Sequence, residues 1–235
     1  MYESAFDIKL LRTGPLRVNT YIVPLSDSEV FVVDSADCAF SNDEGTVVSF
    51  LKSKNLTPVA VVLTHGHFDH VSGLFSLVKV FPHIPIAIHA EDSAMIGEQS
   101  EDMQGAALAQ MGFTQFLPFV SDLPPATHIL ENGKTLAEIL KNLPVSEKAK
   151  KSLANWEILH TPGHTEGSVC LYNKAERTLV SGDTLFYQSW GRTDLIGGNE
   201  RKIHQSLRKI SEYCEKDTCV YPGHDHTGFT LAENF

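Results

Sequence analysis

Short apolar runs alternate with glycine-bearing turns along most of the chain, and this pattern predicts a protein built from both strands and helices. Residues 59–63 form an apolar run rich in β-branched side chains, which is typical of a buried strand. Residues 199–214 place apolar side chains at helical spacing. We therefore predict two β-rich halves with a helical stretch between them.

The same pattern predicts the remaining elements. We expect strands at residues 6–11, 20–23, 30–33 and 85–89, and helices at residues 43–54, 71–80 and 91–111. Residues 113–125, rich in aromatic residues and prolines, predict a loop. Residues 136–154 are ambiguous, because residues 138–140 favour a strand and residues 146–153 favour a short helix. The sequence contains no repeat and no low-complexity linker. We therefore predict one α/β domain over residues 1–235, with two sheets packed face to face and helices outside.

Four side chains that can bind a metal ion follow the predicted strand at residues 59–63. His65 and His67 are two residues apart, so both can point at one ion from an extended turn. Asp69 and His70 follow directly and are placed for a second ion. Imidazole and carboxylate together suit zinc, iron, manganese or nickel better than calcium or magnesium. The segment therefore predicts a transition-metal site at the carboxyl end of a strand.

Three further candidate ligands lie in turns of the same kind. His164, Asp183 and His224 each follow a short strand-like run and lie beside a glycine. Glycine lets the backbone turn sharply and approach a site closely. Four strand ends thus supply seven candidate metal ligands: His65, His67, Asp69, His70, His164, Asp183 and His224.

The four motifs T-H-G-H-F-D-H, T-P-G-H-T, S-G-D-T and P-G-H-D resemble those of the metallo-β-lactamase fold superfamily, and more closely those of its glyoxalase II-like hydrolases. The resemblance implies a four-layer αββα sandwich. It implies that His65, His67 and His164 hold one metal, that Asp69, His70 and His224 hold another, and that Asp183 bridges the two. We expect two divalent ions per chain, zinc first, with iron or manganese as alternatives.

The activity implied by this resemblance is metal-dependent hydrolysis of a thioester such as S-D-lactoylglutathione, with Asp69 and Asp183 acting in catalysis. Two alternatives stay open. The run Gly191-Arg192-Thr193-Asp194 is similar to one in persulfide dioxygenases, which hold a single iron. Hydrolysis of a lactone, phosphodiester or lactam is the other alternative.

The candidate substrate contacts are Tyr187, Arg192 and His226. Arg192 stands where the glutathione-binding hydrolases carry a lysine, and His226 stands where they carry a tyrosine. Arg192 can bind a carboxylate with two hydrogen bonds, or it can pair with Asp194 or Asp183 as a structural contact. The helical C-terminal domain of full-length glyoxalase II does not follow His224 in this sequence, so we expect substrate to be held by residues 187–198 and the turn at His226.

Composition limits the partners. A net charge of −10 argues against a nucleic-acid backbone as partner. No apolar stretch approaches the ~20 residues that cross a bilayer. Residues 1–4 lack the features of a secretion signal, and four cysteines show no C-x-x-C spacing, so we expect reduced thiols and a cytoplasmic location. We expect a small-molecule thioester as partner, with no nucleic acid and no membrane, and the sequence predicts no oligomeric state.

The histidines outside the motifs are expected to be surface or packing residues, among them His83, His89, His128, His160 and His204.

Overall fold

The computed structural model describes residues 7–235, and two β-sheets form its centre. The first sheet has six strands in chain order: β1 (Lys9–Thr13), β2 (Val18–Pro24), β3 (Glu29–Val33), β4 (Thr57–Val62), β5 (Ile86–His89) and β6 (His128–Leu130). Strands β1 to β3 pair antiparallel, and β3 to β6 pair parallel.

The second sheet has five strands and comes from the second half of the chain. Along the chain this half contains β7 (Trp156–His160), β8 (Val169–Asn173), β9 (Thr178–Gly182), β10 (Leu185–Phe186), β11 (Ser189–Trp190), β12 (Cys219–Pro222) and β13 (Phe229–Thr230). The spatial order of the second sheet is β13-β12-β9-β8-β7, with β9 and β12 parallel. Strands β10 and β11 form a separate hairpin.

Within residues 7–235, seven α-helices accompany the sheets: α1 (Thr46–Ser53), α2 (Phe68–Val71), α3 (Leu74–Val80), α4 (Ser100–Gln110), α5 (Leu136–Ile139), α6 (Glu147–Leu153) and α7 (Glu200–Tyr213). Helices α1, α3 and α4 pack on the outer face of the first sheet, and α7 packs on the outer face of the second. Among residues 7–235, no helix has the length and apolar character needed to cross a membrane.

The alternation of side chains along each strand produces these layers. In β3, Val30 and Val32 join the cluster beneath α1 and α3, while Phe31 and Val33 join the cluster between the sheets. Phe31 meets Trp156 of the second sheet edge to face, with ring centroids 5.4 Å apart. Truncating such a buried ring to alanine typically costs about 3–5 kcal/mol. The predicted arrangement of two facing sheets with outer helices is confirmed.

Local predictions were less accurate. Of the alternatives left open for residues 136–154, the strand at residues 138–140 is wrong, because Glu138 and Ile139 belong to α5 and Leu140 follows its last residue. There the Thr135 hydroxyl accepts from the Glu138 N–H, and the Glu138 carboxylate accepts from the Thr135 N–H, so the pair caps a helix.

Strand β6 was not predicted, and the expected loop at residues 113–125 contains a 3₁₀ helix at Thr114–Phe119. The first strand begins at Lys9, and residues 1–6 lie outside the described part of the chain. All four cysteines are described and are free thiols.

A buried carboxylate near the start of α1 predicts a pH-dependent stability. Burial raises the pKa of Asp37 to about 6 and outweighs the hydrogen bond from Ser35. Between about pH 4 and 6 the folded chain therefore holds this proton more tightly than the unfolded chain, so the contribution of Asp37 to stability falls as pH rises through that window. Relative to the wild type, Asp37→Asn should gain unfolding free energy from pH 4.5 to 7, on the order of 2 kcal/mol. Urea unfolding of both proteins at the two pH values measures the two free energies. If the difference in unfolding free energy between variant and wild type is the same at both pH values, the prediction is contradicted.

Candidate metal centre

The seven predicted metal ligands meet where strands of the two sheets end. His65 and His67 follow β4, and the short helix α2 carries Asp69 and His70. His164 lies in the β7–β8 loop, Asp183 follows β9, and His224 follows β12. Because parallel strands end at the same edge of a sheet, loops that are far apart in sequence converge here.

The first group of candidate ligands consists of His65, His67 and His164. All three are buried, and their nearest ring nitrogens lie within 4.8 Å of one another. His67 Nδ1 is 2.8 Å from His164 Nε2. Nε2 of His65 is buried and forms no hydrogen bond with the described part of the chain. Buried polar atoms of native proteins nearly always have a partner, so this nitrogen is suited to an ion.

The second group consists of Asp69, His70 and His224. His224 Nε2 lies 3.3 Å from Asp69 Oδ2 and 3.2 Å from His70 Nε2. Asp69 and His70 are buried, whereas His224 is partly exposed. The three ligand atoms again lie within 4.8 Å of one another.

Asp183 lies between the two groups. Its Oδ2 is 3.6 Å from Nε2 of His164 and 3.5 Å from Nε2 of His224, and its Oδ1 is 3.4 Å from Nε2 of His70. One carboxylate thus contacts a histidine of the first group and two histidines of the second. A side chain at Gly223 would collide with the Asp183 carboxylate, so this position requires glycine.

The protonation states of the groups fit metal binding. Burial lowers the pKa of His65, of His67 to about 3 and of His164 to about 4, so these rings stay neutral, which is the form that binds an ion. Burial also acts to lower the pKa of His70, but the carboxylates of Asp183, Asp69 and Asp34 together raise it to about 10. An ion bound by His70 Nε2 therefore displaces a proton. Five imidazoles and two carboxylates form a donor set typical of transition-metal sites.

Asp34 is a contact that the sequence analysis missed. Its Oδ2 lies 2.9 Å from His70 Nδ1 and accepts from the Thr64 hydroxyl at 2.6 Å, while its Oδ1 accepts from the Thr64 N–H at 2.8 Å. The bond to Nδ1 leaves Nε2 of His70 facing the second group. Like the predicted ligands, Asp34 directly follows a strand, β3, and that position is the signal that could have found it.

A cleft of about 320 Å³ opens above the two groups. Its described lining includes Arg192, whose Nε and Nη2 donate to the Asp194 carboxylate at 2.7 and 2.8 Å. Of the open alternatives for Arg192, the structure shows the pair with Asp194. The backbone carbonyl of Arg192 also lies 2.8 Å from His164 Nδ1 and so orients that ring.

The other two candidate substrate contacts lie elsewhere. Tyr187 and His226 contact each other, with ring centroids 5.3 Å apart, and both pack on Phe229. Neither is among the residues that line the cleft. His160, outside the motifs, stacks on His89 at 4.1 Å, as expected for a packing residue.

The chain matches the family described as the Metallo-beta-lactamase superfamily over residues 13–224. That range includes both groups and Asp183, and the chain belongs to the metallo-beta-lactamase superfamily. It is a metallo-hydrolase of this superfamily.

Two relatives match most of the chain. The Bacillus subtilis protein described as probable metallo-hydrolase YqgX is 32% identical over 225 residues, covering 94% of this chain and 90% of that protein. The hydroxyacylglutathione hydrolase of Citrobacter koseri is 29% identical over 219 residues, covering 92% of this chain and 66% of that protein. The expected similarity to hydroxyacylglutathione hydrolases is confirmed at this moderate identity.

Two solved structures resemble the fold over nearly its whole length. BLEG-1 B3 metallo-beta-lactamase has a TM-score of 0.75 and 28% identity, covering 96% of this chain and 95% of that one. TTHA1623 in a di-iron-bound form has a TM-score of 0.74 and 27% identity, covering 95% of each chain. The metallo-β-lactamase type of fold is confirmed.

Proposed function

We propose that this protein hydrolyses thioesters, with hydroxyacyl glutathione thioesters such as S-D-lactoylglutathione as its substrate class. The observation that carries the proposal is the position of Asp183, which contacts both candidate metal groups at the cleft. Similarity to the Citrobacter koseri hydroxyacylglutathione hydrolase supports the choice of substrate class.

We propose two divalent ions per chain. The first group would hold one, the second group would hold the other, and Asp183 would contact both. Such ions supply a nucleophilic hydroxide at neutral pH and polarise the acyl carbonyl. Zinc is our first choice; the di-iron-bound form of TTHA1623 supports iron as an alternative, and manganese accepts the same ligands.

Elemental analysis of the metal-loaded protein tests this stoichiometry. We expect two ions per chain for the wild type. His224→Ala, which removes a ligand of the second group alone, should retain one tightly bound ion. A wild type that binds a single ion under metal-replete conditions, with Asp69 and His70 uncoordinated, would contradict the proposal.

The Asp69 carboxylate stays charged at neutral pH. Burial acts to raise the pKa of Asp69, but His70 and His224 outweigh burial and hold it below its usual range. Ionised Asp69 can therefore accept a hydrogen bond from a water molecule and orient it. Asp183 would offset part of the positive charge of the two ions. A thiol of ordinary pKa, about 8.5, leaves as thiolate without strong protonation, so the mechanism needs no general acid for this step.

The walls of the cleft suit an acyl group with apolar character. Five apolar side chains line it: Leu16, Phe68, Met111, Phe186 and Leu195. Among the described lining residues, Arg192 carries the positive charge. It would bind a substrate carboxylate by exchanging its bonds with Asp194, and Asp194 is exposed enough to be rehydrated.

Arg192→Ala should raise KM more than it lowers kcat. The side chain lies at the cleft but contacts neither metal group, so its loss removes ground-state and transition-state binding equally. Because the guanidinium must give up a bidentate bond to Asp194, we expect a weak wild-type KM, on the order of 1 mM. Steady-state kinetics with S-D-lactoylglutathione measures both constants.

Arg177→Ala is the matched control, because Arg177 makes a similar exposed pair with Asp217 away from the cleft. It should leave both constants unchanged. A fall in kcat with constant KM in Arg192→Ala would show that the guanidinium acts on the reacting atoms or on His164.

The proposed function is tested by thiol release from S-D-lactoylglutathione by the metal-loaded protein, alongside a lactone, a phosphodiester and a β-lactam. We expect the thioester to be hydrolysed with the highest kcat/KM. A higher kcat/KM for any of the other three would replace the proposed substrate class.

A second candidate is persulfide oxidation by a single iron. The run Gly191-Arg192-Thr193-Asp194 favours it, together with the closeness of His164 and Asp183, since such iron sites use two histidines and one carboxylate. Oxygen consumption with glutathione persulfide, in the absence of thioesterase activity, would favour this candidate.

A further inference from the structure

The backbone of Gly66, between His65 and His67, is held on both sides by residues outside every metal-binding motif. The Gly66 N–H donates to Asp92 Oδ2 at 2.9 Å, and the Gly66 carbonyl accepts from Gln104 Nε2 at 2.7 Å. Both side chains are buried, with relative exposures of 2% for Asp92 and 0% for Gln104. The backbone N–H and carbonyl of this one residue are therefore fixed by two side chains.

Asp92 also reaches the loop that carries His164. Its Oδ2 accepts from the Thr165 hydroxyl at 2.7 Å, and its Oδ1 accepts from the Gly167 N–H at 2.8 Å. A Cβ atom at Gly167 would lie 2.5 Å from the Asp92 carboxyl carbon, so glycine allows this close approach. A single carboxylate thus connects the two loops from which the first group is built.

Gln104 connects Gly66 to the segment that holds Asp92. Its Nε2 donates to the Met95 carbonyl at 2.8 Å as well as to the Gly66 carbonyl. Met95 closes the 3₁₀ helix Ala90–Met95, which contains Asp92. Gln104 therefore restrains both Gly66 and the 3₁₀ helix that carries Asp92.

We propose that Asp92 and Gln104 are positioning residues that fix the spacing of His65, His67 and His164 and so set the affinity of the first group for its ion. This inference rests on the proposed metal sites. A carboxylate accepts hydrogen bonds and donates none. The Asp92 carboxylate therefore satisfies three donors simultaneously, namely the Gly66 N–H, the Thr165 hydroxyl and the Gly167 N–H. The second group is held differently, because His70 is oriented by Asp34 and lies on α2 with Asp69.

A loss of Zn²⁺ affinity at the first group alone distinguishes a positioning role of Asp92 and Gln104 from a general contribution to stability. In the His224→Ala background the first group is complete, and in the His164→Ala background the second group is complete. Zn²⁺ affinity is measured in each background by competition with a chromophoric chelator at constant pH. Asp92→Asn places a donor amide against N–H groups and should weaken Zn²⁺ binding roughly 10–100-fold in the His224→Ala background. In the His164→Ala background the change should stay within about threefold, well below such an effect.

Two further variants make the result decisive. Asp37→Asn alters another buried carboxylate that is bonded to Ser35 and not to the ligand loops, and it should leave Zn²⁺ affinity unchanged in both backgrounds. Gln104→Met removes both amide bonds without introducing a donor against Gly66. It should show the same selectivity as Asp92→Asn, and it serves if Asp92→Asn does not fold.

Equal losses in the two backgrounds would overturn the inference, and so would unchanged affinity in the His224→Ala background. If the parent His224→Ala protein itself binds no Zn²⁺, the proposed metal site fails and the inference fails with it. Binding by the parent without any dependence on Asp92 or Gln104 would overturn the positioning role alone.

Discussion

Asp183→Ala is expected to lower turnover by at least about 100-fold. Its carboxylate lies 3.4–3.6 Å from nitrogens of His70, His164 and His224, so its removal affects both candidate groups at once. Two ions held without it would face each other with less of their charge offset. Losses of about 10–100-fold are typical even when only an outer partner of a metal ligand is removed. Turnover of S-D-lactoylglutathione at saturating metal measures the effect.

Asp217→Ala is the control for this prediction. Asp217 is an exposed carboxylate paired with Arg177, and its removal should not change turnover. Near-normal turnover of Asp183→Ala that has been shown to contain its full complement of metal would refute a shared role for this carboxylate.

Asp34→Ala is expected to cause a loss of about 10–100-fold in metal affinity at the second group. The substitution removes the acceptor for the Thr64 N–H, the Thr64 hydroxyl and Nδ1 of His70. The His70 ring then loses the contact that directs Nε2 toward the ion. Each buried donor left without a partner also costs about 1–3 kcal/mol of stability. Zn²⁺ titration in the His164→Ala background isolates the second group.

The metal-free protein provides an independent measure of the same contact. Asp34 is one of the three carboxylates that raise the pKa of His70 to about 10. Its removal should lower that pKa, so His70 loses its proton at lower pH in the variant. Histidine resonances followed by NMR across the titration report the shift. An unchanged His70 pKa, together with unchanged Zn²⁺ affinity, would show that Asp34 does not act through His70.

The convergence of the seven candidate ligands could be predicted from the sequence because strand ends and glycine turns recur with them. His65, His164 and His224 each follow a β-branched or apolar run, and parallel strands bring such ends together. The same pattern holds for Asp34 after β3, but it was overlooked because this carboxylate stands alone and outside a glycine turn.

Asp92 shows what sequence patterns cannot reveal. It lies in a stretch predicted to be helical, and its partners Gly66 and Gly167 are 26 and 75 residues away along the chain. Nothing local marks it, since its role follows from how the loops pack. Residues 138–140 show the converse, where Glu138-Ile139-Leu140 suggested a strand but a capping pair at Thr135 and Glu138 stabilises a helix.

Substrate contacts were the least predictable part of the site. The cleft walls come from separate segments, with Leu16 from the β1–β2 turn, Met111 from the end of α4 and Leu195 from the loop before α7. Tyr187 was selected from residues 187–198 and His226 from the turn after His224, yet they contact each other outside the residues that line the cleft. Side-chain direction in irregular loops depends on tertiary packing, which periodicity does not encode.

The source of the oxygen atom in the product tests metal-dependent thioester hydrolysis most directly. The metal-loaded protein is incubated with S-D-lactoylglutathione in ¹⁸O-labelled water, and the released acid, free thiol and dissolved oxygen are followed together. Thioester hydrolysis predicts one labelled oxygen in each carboxylate, one thiol for each acid, no oxygen consumption, and loss of the reaction when a chelator removes the metal. Absence of thiol release here, with consumption of dissolved oxygen when a persulfide is supplied instead, would contradict the proposed hydrolase.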